Sequence, residues 1–135
     1  MLDQALLHEM ARTLDERFGL DTLWVFGSQA TGPVTPASDV DLAALFRRRP
    51  TAVELLDTRE SLNLLHPQGV DLVDLDAASP ILAMQVLRYG RLLVDANVPR
   101  RLAFVAHLPG RYEDLKILRR PVELMIAERL RRGRS

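Results

Sequence analysis

The chain of 135 residues contains no cysteine, a single lysine and no long hydrophobic run. The absence of cysteine excludes a disulfide framework, a cysteine-ligated zinc site and a thiol nucleophile. No apolar run approaches the roughly 18 to 20 residues needed to span a bilayer. The first 18 residues carry four acidic side chains and lack the basic start and apolar stretch of a secretory signal peptide. We therefore expect a cytoplasmic protein without a membrane span.

The charges are unevenly distributed along the chain, although their formal sum is zero. Residues 1–95 hold 8 Lys+Arg and 14 Asp+Glu, a net of −6, whereas residues 96–135 hold 10 and 4, a net of +6. The content of 47% hydrophobic and 27% charged residues is typical of a globular protein. The pattern predicts a domain over residues 1–95 and a basic helical tail over residues 96–135, which packs on the domain or on a partner.

Hydrophobic periodicity and turn residues predict alternating helices and strands. The predicted helices cover residues 3–18, 51–65, 80–89 and 99–132, and the predicted strands cover residues 23–26, 39–46, 69–75 and 91–95. The last helix is expected to be interrupted near Pro109 and Gly110. In the helix over residues 51–65, we expect Val53, Leu56 and Leu64 to form the apolar side. Strands that alternate with helices indicate an α/β fold.

Two carboxylates lie two residues apart on the second predicted strand, at Asp39 and Asp41. Side chains alternate along a strand, so both point to one face of the sheet while Val40 and Leu42 point to the other. Like charges at this spacing repel and lose hydration, which gives a purely structural strand no benefit. A divalent cation gains a pair of hard oxygen ligands from the same arrangement. The alternative is a half-buried strand with a solvated acidic face.

A third carboxylate can come from the third predicted strand, which contains Asp71 and Asp74. Their odd spacing puts the two side chains on opposite faces of that strand, so only one of them can join Asp39 and Asp41. The alternation of side chains does not by itself decide which of the two it is.

The first predicted strand is followed directly by Gly27 and Ser28. A glycine after a buried strand lets the backbone approach a ligand, and a short turn with free N–H groups and a serine hydroxyl can hold phosphate. The segment has glycines at positions 27 and 32 but continues with Pro33 and Val34, where a Walker A loop requires Lys followed by Ser or Thr. On its own, the loop is a weak indication of a phosphate site.

The order of these features is more specific than any one of them. Gly27 and Ser28 follow a strand, ten residues separate Ser28 from the pair Asp39 and Asp41, and Asp71 lies on a later strand. This arrangement resembles the DNA polymerase β-like nucleotidyltransferase superfamily. Its signature is Gly-Ser, a spacer of about ten residues and Asp-x-Asp, with a third acid on a later strand.

The short chain, its third strand and the continuation from Ala83 to Leu93 are similar to the minimal nucleotidyltransferase (MNT) group of that superfamily. The resemblance covers about residues 20 to 95. It implies a small mixed sheet of about four strands flanked by helices, with a C-terminal helical tail. The group includes antitoxins paired with HEPN-type toxins. For these the implied reaction is AMP transfer from ATP to a tyrosine of the cognate HEPN ribonuclease toxin, which silences the toxin.

The resemblance also implies roles for individual residues. Asp39, Asp41 and Asp71 match the catalytic carboxylates that hold the metal, which implies two Mg²⁺ ions. Gly27 and Ser28 match the turn that holds the nucleotide phosphates. Asp74 is the alternative to Asp71 as the third carboxylate.

One position departs from the group's pattern. Many members carry an arginine where this chain has Thr31. If that arginine holds the phosphates in those members, this chain does without it or uses Arg91 or a tail arginine in its place. This departure motivates a second hypothesis, a non-catalytic module that neutralises its partner by binding alone. A third hypothesis is a small-molecule nucleotidyltransferase of the kind that modifies aminoglycosides. It ranks lowest, because only residues 96–135 follow the last predicted strand and could bind an acceptor.

The basic tail has no aromatic interleaving and no recognised nucleic-acid motif, so direct nucleic-acid binding is not expected. The Arg-x4-His-x-Tyr pattern of HEPN toxins is absent, since Arg101 lies six residues before His107 and Leu108 follows that histidine. The expected partners are therefore a HEPN-type toxin, in a hetero-oligomer, and a nucleoside triphosphate.

Overall fold

The structure, a computed structural model, describes residues 4–26 and 39–113. Within them, four strands form one sheet: β1 (Leu20–Phe26), β2 (Val40–Phe46), β3 (Val70–Asp74) and β4 (Arg91–Asp95). Their order across the sheet is β3-β2-β1-β4. β1 is antiparallel to both β2 and β4, whereas β2 and β3 are parallel. The predicted α/β fold with a small mixed sheet is confirmed.

Helices connect and flank the strands. They are α1 (Gln4–Phe18), α2 (Ala52–Leu65), α3 (Pro80–Tyr89) and α4, which begins at residue 98 and is described to residue 113. Side-chain caps fix two of the starts: Thr51 Oγ1 accepts a hydrogen bond from Glu54 N at 3.1 Å, and Ser79 Oγ accepts one from Leu82 N at 3.2 Å. None of the helices in the described part of the chain is long and apolar enough to cross a membrane.

The helices cover both faces of the sheet. The core on one face joins α1 and α2 to the sheet and includes Met10, Leu14, Leu42, Leu62 and Leu72. The core on the other face joins α3 and α4 to the sheet and includes Trp24, Ala43, Leu45, Val86 and Leu108. Neighbouring residues of β2 therefore belong to different faces, as the alternation of side chains requires.

The expected apolar side of α2 was wrong. Val53 is 77% exposed, Leu56 57% and Leu64 84%. The residues that face the core are Leu55, Thr58, Leu62 and Leu65, which recur at three- and four-residue intervals. Leucines occur on all sides of this helix, so the buried stripe includes a threonine, whose hydroxyl donates to Glu54 O at 2.7 Å and is thereby satisfied.

Strand β1 begins at Leu20, three residues before the predicted start at Leu23. This start was not predicted because Asp21 and Thr22 are polar residues, which do not indicate a buried strand. Both are nevertheless buried, at 4% and 0% exposure. The Asp21 carboxylate is compensated by Arg100, whose Nη1 donates to Oδ2 at 2.9 Å. A charged residue can thus occupy a buried strand when a cation from another element reaches it.

The predicted interruption near Pro109 and Gly110 was also wrong, because α4 continues through both residues. A proline inside a helix removes one backbone hydrogen bond, but Leu108 beside it is only 1% exposed and Phe104 packs against the same core. This packing holds the helical conformation across the proline. The part of the predicted helix beyond residue 113 lies outside the described residues. The division into a domain of residues 1–95 and a tail of residues 96–135 stays a prediction.

Candidate active site

Asp41 and Asp71 face each other across two neighbouring strands. They are register partners in the parallel pair of β2 and β3. Paired residues project to the same face from strands about 4.8 Å apart. Asp39 comes just before β2, two residues from Asp41, and therefore points to this face as well. The structure thus brings the three predicted carboxylates to one end of the sheet.

Asp41 lies close enough to the other two carboxylates to be affected by their charges. The pKa of Asp41 is raised above its usual value, first by burial and then by the negative charges of Asp71 and Asp39. A cation that binds beside Asp41 would stabilise the ionised form of this carboxylate, which burial and the neighbouring charges disfavour. The hard oxygen donors of this cluster are the kind that Mg²⁺ prefers. As the structure stands, no three Asp, Glu or His side chains within residues 4–26 and 39–113 form a group that could hold a metal ion.

Asp74, the alternative third carboxylate, lies on the opposite face of β3. Its register partner is Ala44, which belongs to the core under α1 and α2. Only 6% of Asp74 is exposed, and its Oδ1 accepts a hydrogen bond from Asp76 N at 3.1 Å. Arg49 Nε lies 3.8 Å from its other oxygen. The geometry therefore favours Asp71 over Asp74 as the partner of Asp41.

The predicted phosphate turn, Gly27 and Ser28, lies outside the described residues, as does Thr31. Strand β1 ends at Phe26, which is the register partner of Asp41. The end of β1 is therefore at the same end of the sheet as the carboxylates.

Arg91, considered as a substitute for the arginine missing at position 31, is not brought to the carboxylates. It begins β4 as the register partner of Val25. Val25 packs in the core under α1 and α2, whereas Asp41 shares its face with Ala43 in the core under α3 and α4. Partners in an antiparallel pair project to the same face of the sheet, so Arg91 lies on the face of Val25. Asp41 lies on the opposite face.

Two residues that the sequence analysis missed lie beside the carboxylates. A Cβ atom on Gly69 would lie 2.9 Å from Oδ1 of Asp39, and the φ angle of this glycine is +127°. Arg59, on α2, donates from Nη2 to Oδ1 of Asp71. The glycine directly before a strand was a local signal that could have drawn attention to Gly69. Nothing near Arg59 in the sequence indicated its contact, which exists only once α2 packs beside β3.

The profile of the family described as polymerase beta, nucleotidyltransferase matches residues 8–98. The chain belongs to the polymerase β nucleotidyltransferase family. This nucleotidyltransferase is 33% identical over 85 residues to the protein adenylyltransferase MntA of Thermococcus cleftensis, an alignment that covers 63% of this chain and 86% of the relative. The predicted resemblance to the minimal nucleotidyltransferase group is confirmed.

Solved structures share the fold of this nucleotidyltransferase. A chain from the crystal structure of a toxin–antitoxin pair with AMP-PNP matches with a TM-score of 0.78 and 25% identity, over 93% of this chain and 99% of that chain. A chain from the complex of a tri-AMPylated Shewanella oneidensis HEPN toxin with an MNT antitoxin matches with a TM-score of 0.76 and 22% identity, with the same coverage of both chains.

Proposed function

We propose that this nucleotidyltransferase is the antitoxin of a two-protein module and transfers AMP from ATP to a hydroxyl group, that of a tyrosine, on a HEPN-type toxin. The observation that carries the proposal is the register of Asp41 with Asp71, with Asp39 beside them, in a chain that is 33% identical over 85 residues to MntA. The relatives support the substrate and the partner, since one is named a protein adenylyltransferase and another comes from a complex with an AMPylated HEPN toxin.

In the proposed reaction, the hydroxyl oxygen of the toxin attacks the α-phosphorus of ATP. The bond from this phosphorus to the oxygen that leads to the β-phosphate breaks, and pyrophosphate leaves. The hydroxyl proton passes to Asp71 and then to water. Negative charge spreads over the phosphate oxygens in the transition state, so positioning and charge compensation supply most of the catalysis.

The residues of this chain would hold the reactants in place. Asp39 and Asp41 would hold the ion on the triphosphate, and Asp41 and Asp71 would hold a second ion near the attacking oxygen. When bound, two Mg²⁺ ions offset the charge of the triphosphate and of the attacking oxygen. Gly27 and Ser28 are proposed to hold the β- and γ-phosphates. The dependence on Mg²⁺ and the cytoplasmic location stay predictions.

Intact-mass measurement of the toxin tests this function. The chain is incubated with its HEPN partner and Mg·ATP, and each AMP transferred adds one AMP residue to the mass of the toxin. We expect the added mass with the wild type and with Asp57→Asn, an exposed acid of α2 that pairs with Arg17, but not with Asp41→Asn. A toxin whose mass stays unchanged with the wild-type chain contradicts the proposal.

The second candidate function is neutralisation by binding alone, which Thr31 favours because an arginine occupies this position in many members of the group. It predicts that alanine at Asp39, Asp41 and Asp71 together leaves neutralisation of the toxin intact. The proposed enzyme predicts that the same triple variant fails to neutralise while still forming the complex. Toxin activity measured with the triple variant therefore separates the two functions.

A further inference from the structure

Asp71 is held by an arginine from another element. Arg59 lies on α2, twelve residues before Asp71, and its Nη2 donates to Oδ1 of the carboxylate. The two side chains are 38% and 48% exposed, so the contact is half-buried at the edge of the sheet. Such a pair stabilises the fold only modestly. Its position beside the carboxylate cluster suggests a role other than stability.

The two residues that donate to the Asp71 carboxylate within residues 4–26 and 39–113 use the same oxygen. The backbone N–H of Leu72 donates to Oδ1 at 3.1 Å, and Arg59 donates to Oδ1 as well. Two donors on one oxygen restrict the rotation of the carboxylate. They leave Oδ2 as the oxygen through which Asp71 can ligate a cation.

The backbone that carries Arg59 is fixed relative to β3. Leu55 and Leu62 of α2 pack against the core under α1 and α2. At the end of the helix, Asn63 Oδ1 accepts a hydrogen bond from Val70 N at 2.6 Å. Nε of Arg59 is buried and has no hydrogen-bond partner within the described residues, whereas Nη2 of the same guanidinium donates to Asp71.

We propose that Arg59 is a positioning residue, which holds Asp71 through Oδ1 and thereby presents Oδ2 to a divalent cation shared with Asp41. This inference rests on the proposed metal-dependent function. The hydrogen bonds that orient a metal-ligating side chain contribute to metal affinity, and their loss typically weakens binding by about 10- to 100-fold. Arg59 also offsets one negative charge in a cluster of three carboxylates.

Binding of Mn²⁺ alone, followed by electron paramagnetic resonance, tests the proposal. We expect Arg59→Met to raise the dissociation constant for Mn²⁺ by about 10- to 100-fold. Arg59→Lys should lie between this variant and the wild type, because a single nitrogen makes the contact. Binding by Arg59→Met as tight as in the wild type, or tighter, overturns the proposal, because the arginine would then be a bystander or a competitor of the ion.

Arg48→Met is the matched control. Arg48 also pairs with an acid of α2, since its Nη2 lies 3.0 Å from Oε2 of Glu54, but it is not in contact with the carboxylates. We expect its affinity for Mn²⁺ to stay within twofold of the wild type. If Arg48→Met weakens binding as much as Arg59→Met, the effect arises from α2 in general and the proposal is overturned.

The measurement separates this inference from the proposed function. If the wild type adds no AMP to the toxin but Arg59→Met weakens Mn²⁺ binding, the function is wrong and the role of Arg59 stands. If the wild type adds AMP and Arg59→Met binds Mn²⁺ normally, the function stands and the role of Arg59 is wrong.

Discussion

Gly69 and Asp39 lie so close together that any side chain at position 69 would meet the carboxylate. A Cβ atom there would be 2.9 Å from Oδ1 of Asp39, and the φ angle of +127° is one that side chains rarely adopt. The carbonyl of Gly69 also accepts a hydrogen bond from Val40 N at 3.0 Å. The residue before β3 therefore pairs with the start of β2 and leaves room for the carboxylate of a proposed metal ligand.

Gly69→Ala is expected to impair both folding and the site. Backbone strain should lower the free energy of unfolding by about 1–3 kcal/mol. The displaced Asp39 carboxylate should slow AMP transfer by about 100-fold. Urea denaturation and the mass assay measure the two effects. Gly110→Ala is the control. Apart from the adjoining backbone of α4, no atom of residues 4–26 and 39–113 lies within 4 Å of the new Cβ, and alanine at this helical position should stabilise by about 0.5–1 kcal/mol. Full activity of Gly69→Ala would show that the Asp39 carboxylate does not need a glycine at position 69.

The sequence predicted the parts of this fold that depend on local signals. Ser79 followed by Pro80 marked the start of α3, and that start is where the structure has it. The alternation of side chains placed Asp39 and Asp41 on one face and separated Asp71 from Asp74, and the register of β2 with β3 agrees. Each of these inferences depends on residues that are close together in the sequence.

Features that depend on the packing of distant elements could not be predicted. The buried face of α2 is chosen by its contact with α1 and the sheet, and leucines on every side of the helix gave no preference. Asp21 was not recognised as part of β1, because its cation comes from Arg100, 79 residues later. Arg59 reaches Asp71 only once α2 packs beside β3, which no local pattern shows.

Asp41→Asn is expected to stabilise the chain while it removes activity. Burial and the charges of Asp71 and Asp39 raise the pKa of Asp41 above the ordinary 3.8. An acid whose pKa is higher in the folded chain holds its proton more tightly there, so the free energy of unfolding falls as the pH rises through that range. Without divalent ions at pH 7, the variant should melt at a higher temperature than the wild type. It should transfer AMP at least about 100-fold more slowly. A lower melting temperature would contradict this account of the cluster.

Glu54→Gln is expected to make stability less dependent on acid pH. The pKa of Glu54 is lowered to about 2, first by the hydrogen bond from Arg48 and then by the backbone of Thr51. The stabilisation that the carboxylate provides is therefore complete above its ordinary pKa of 4.5 and disappears as the pH falls toward 2. Glutamine can keep the capping bond to Thr51 but not the charge. Urea midpoints should differ between wild type and variant at pH 7 and converge toward pH 2.5, whereas a constant difference would exclude the charge as the cause.

Arg100→Met is expected to destabilise the whole chain, because Arg100 links α4 to the sheet. Its Nη1 donates to Asp21 Oδ2 at 2.9 Å and to the Phe46 carbonyl at 2.7 Å, and its Nη2 donates to Asp76. Among the described residues, the variant leaves Asp21, at 4% exposure, with a single ion pair, the 3.4 Å contact from the largely exposed Arg47.

Breaking a buried ion pair costs about 3–5 kcal/mol, and we expect the lower end because Arg100 is 30% exposed. Urea denaturation measures this loss. Arg101→Met is the control: this neighbour pairs with Asp95 at 2.9 Å, with both side chains 26% exposed, and its loss should cost about 1 kcal/mol or less. Adding Asp21→Asn to Arg100→Met should recover part of the lost stability, because the uncompensated buried charge is then gone. If the two substitutions instead destabilise additively, the contribution of Arg100 lies in packing and in the Phe46 carbonyl rather than in its pairing with Asp21.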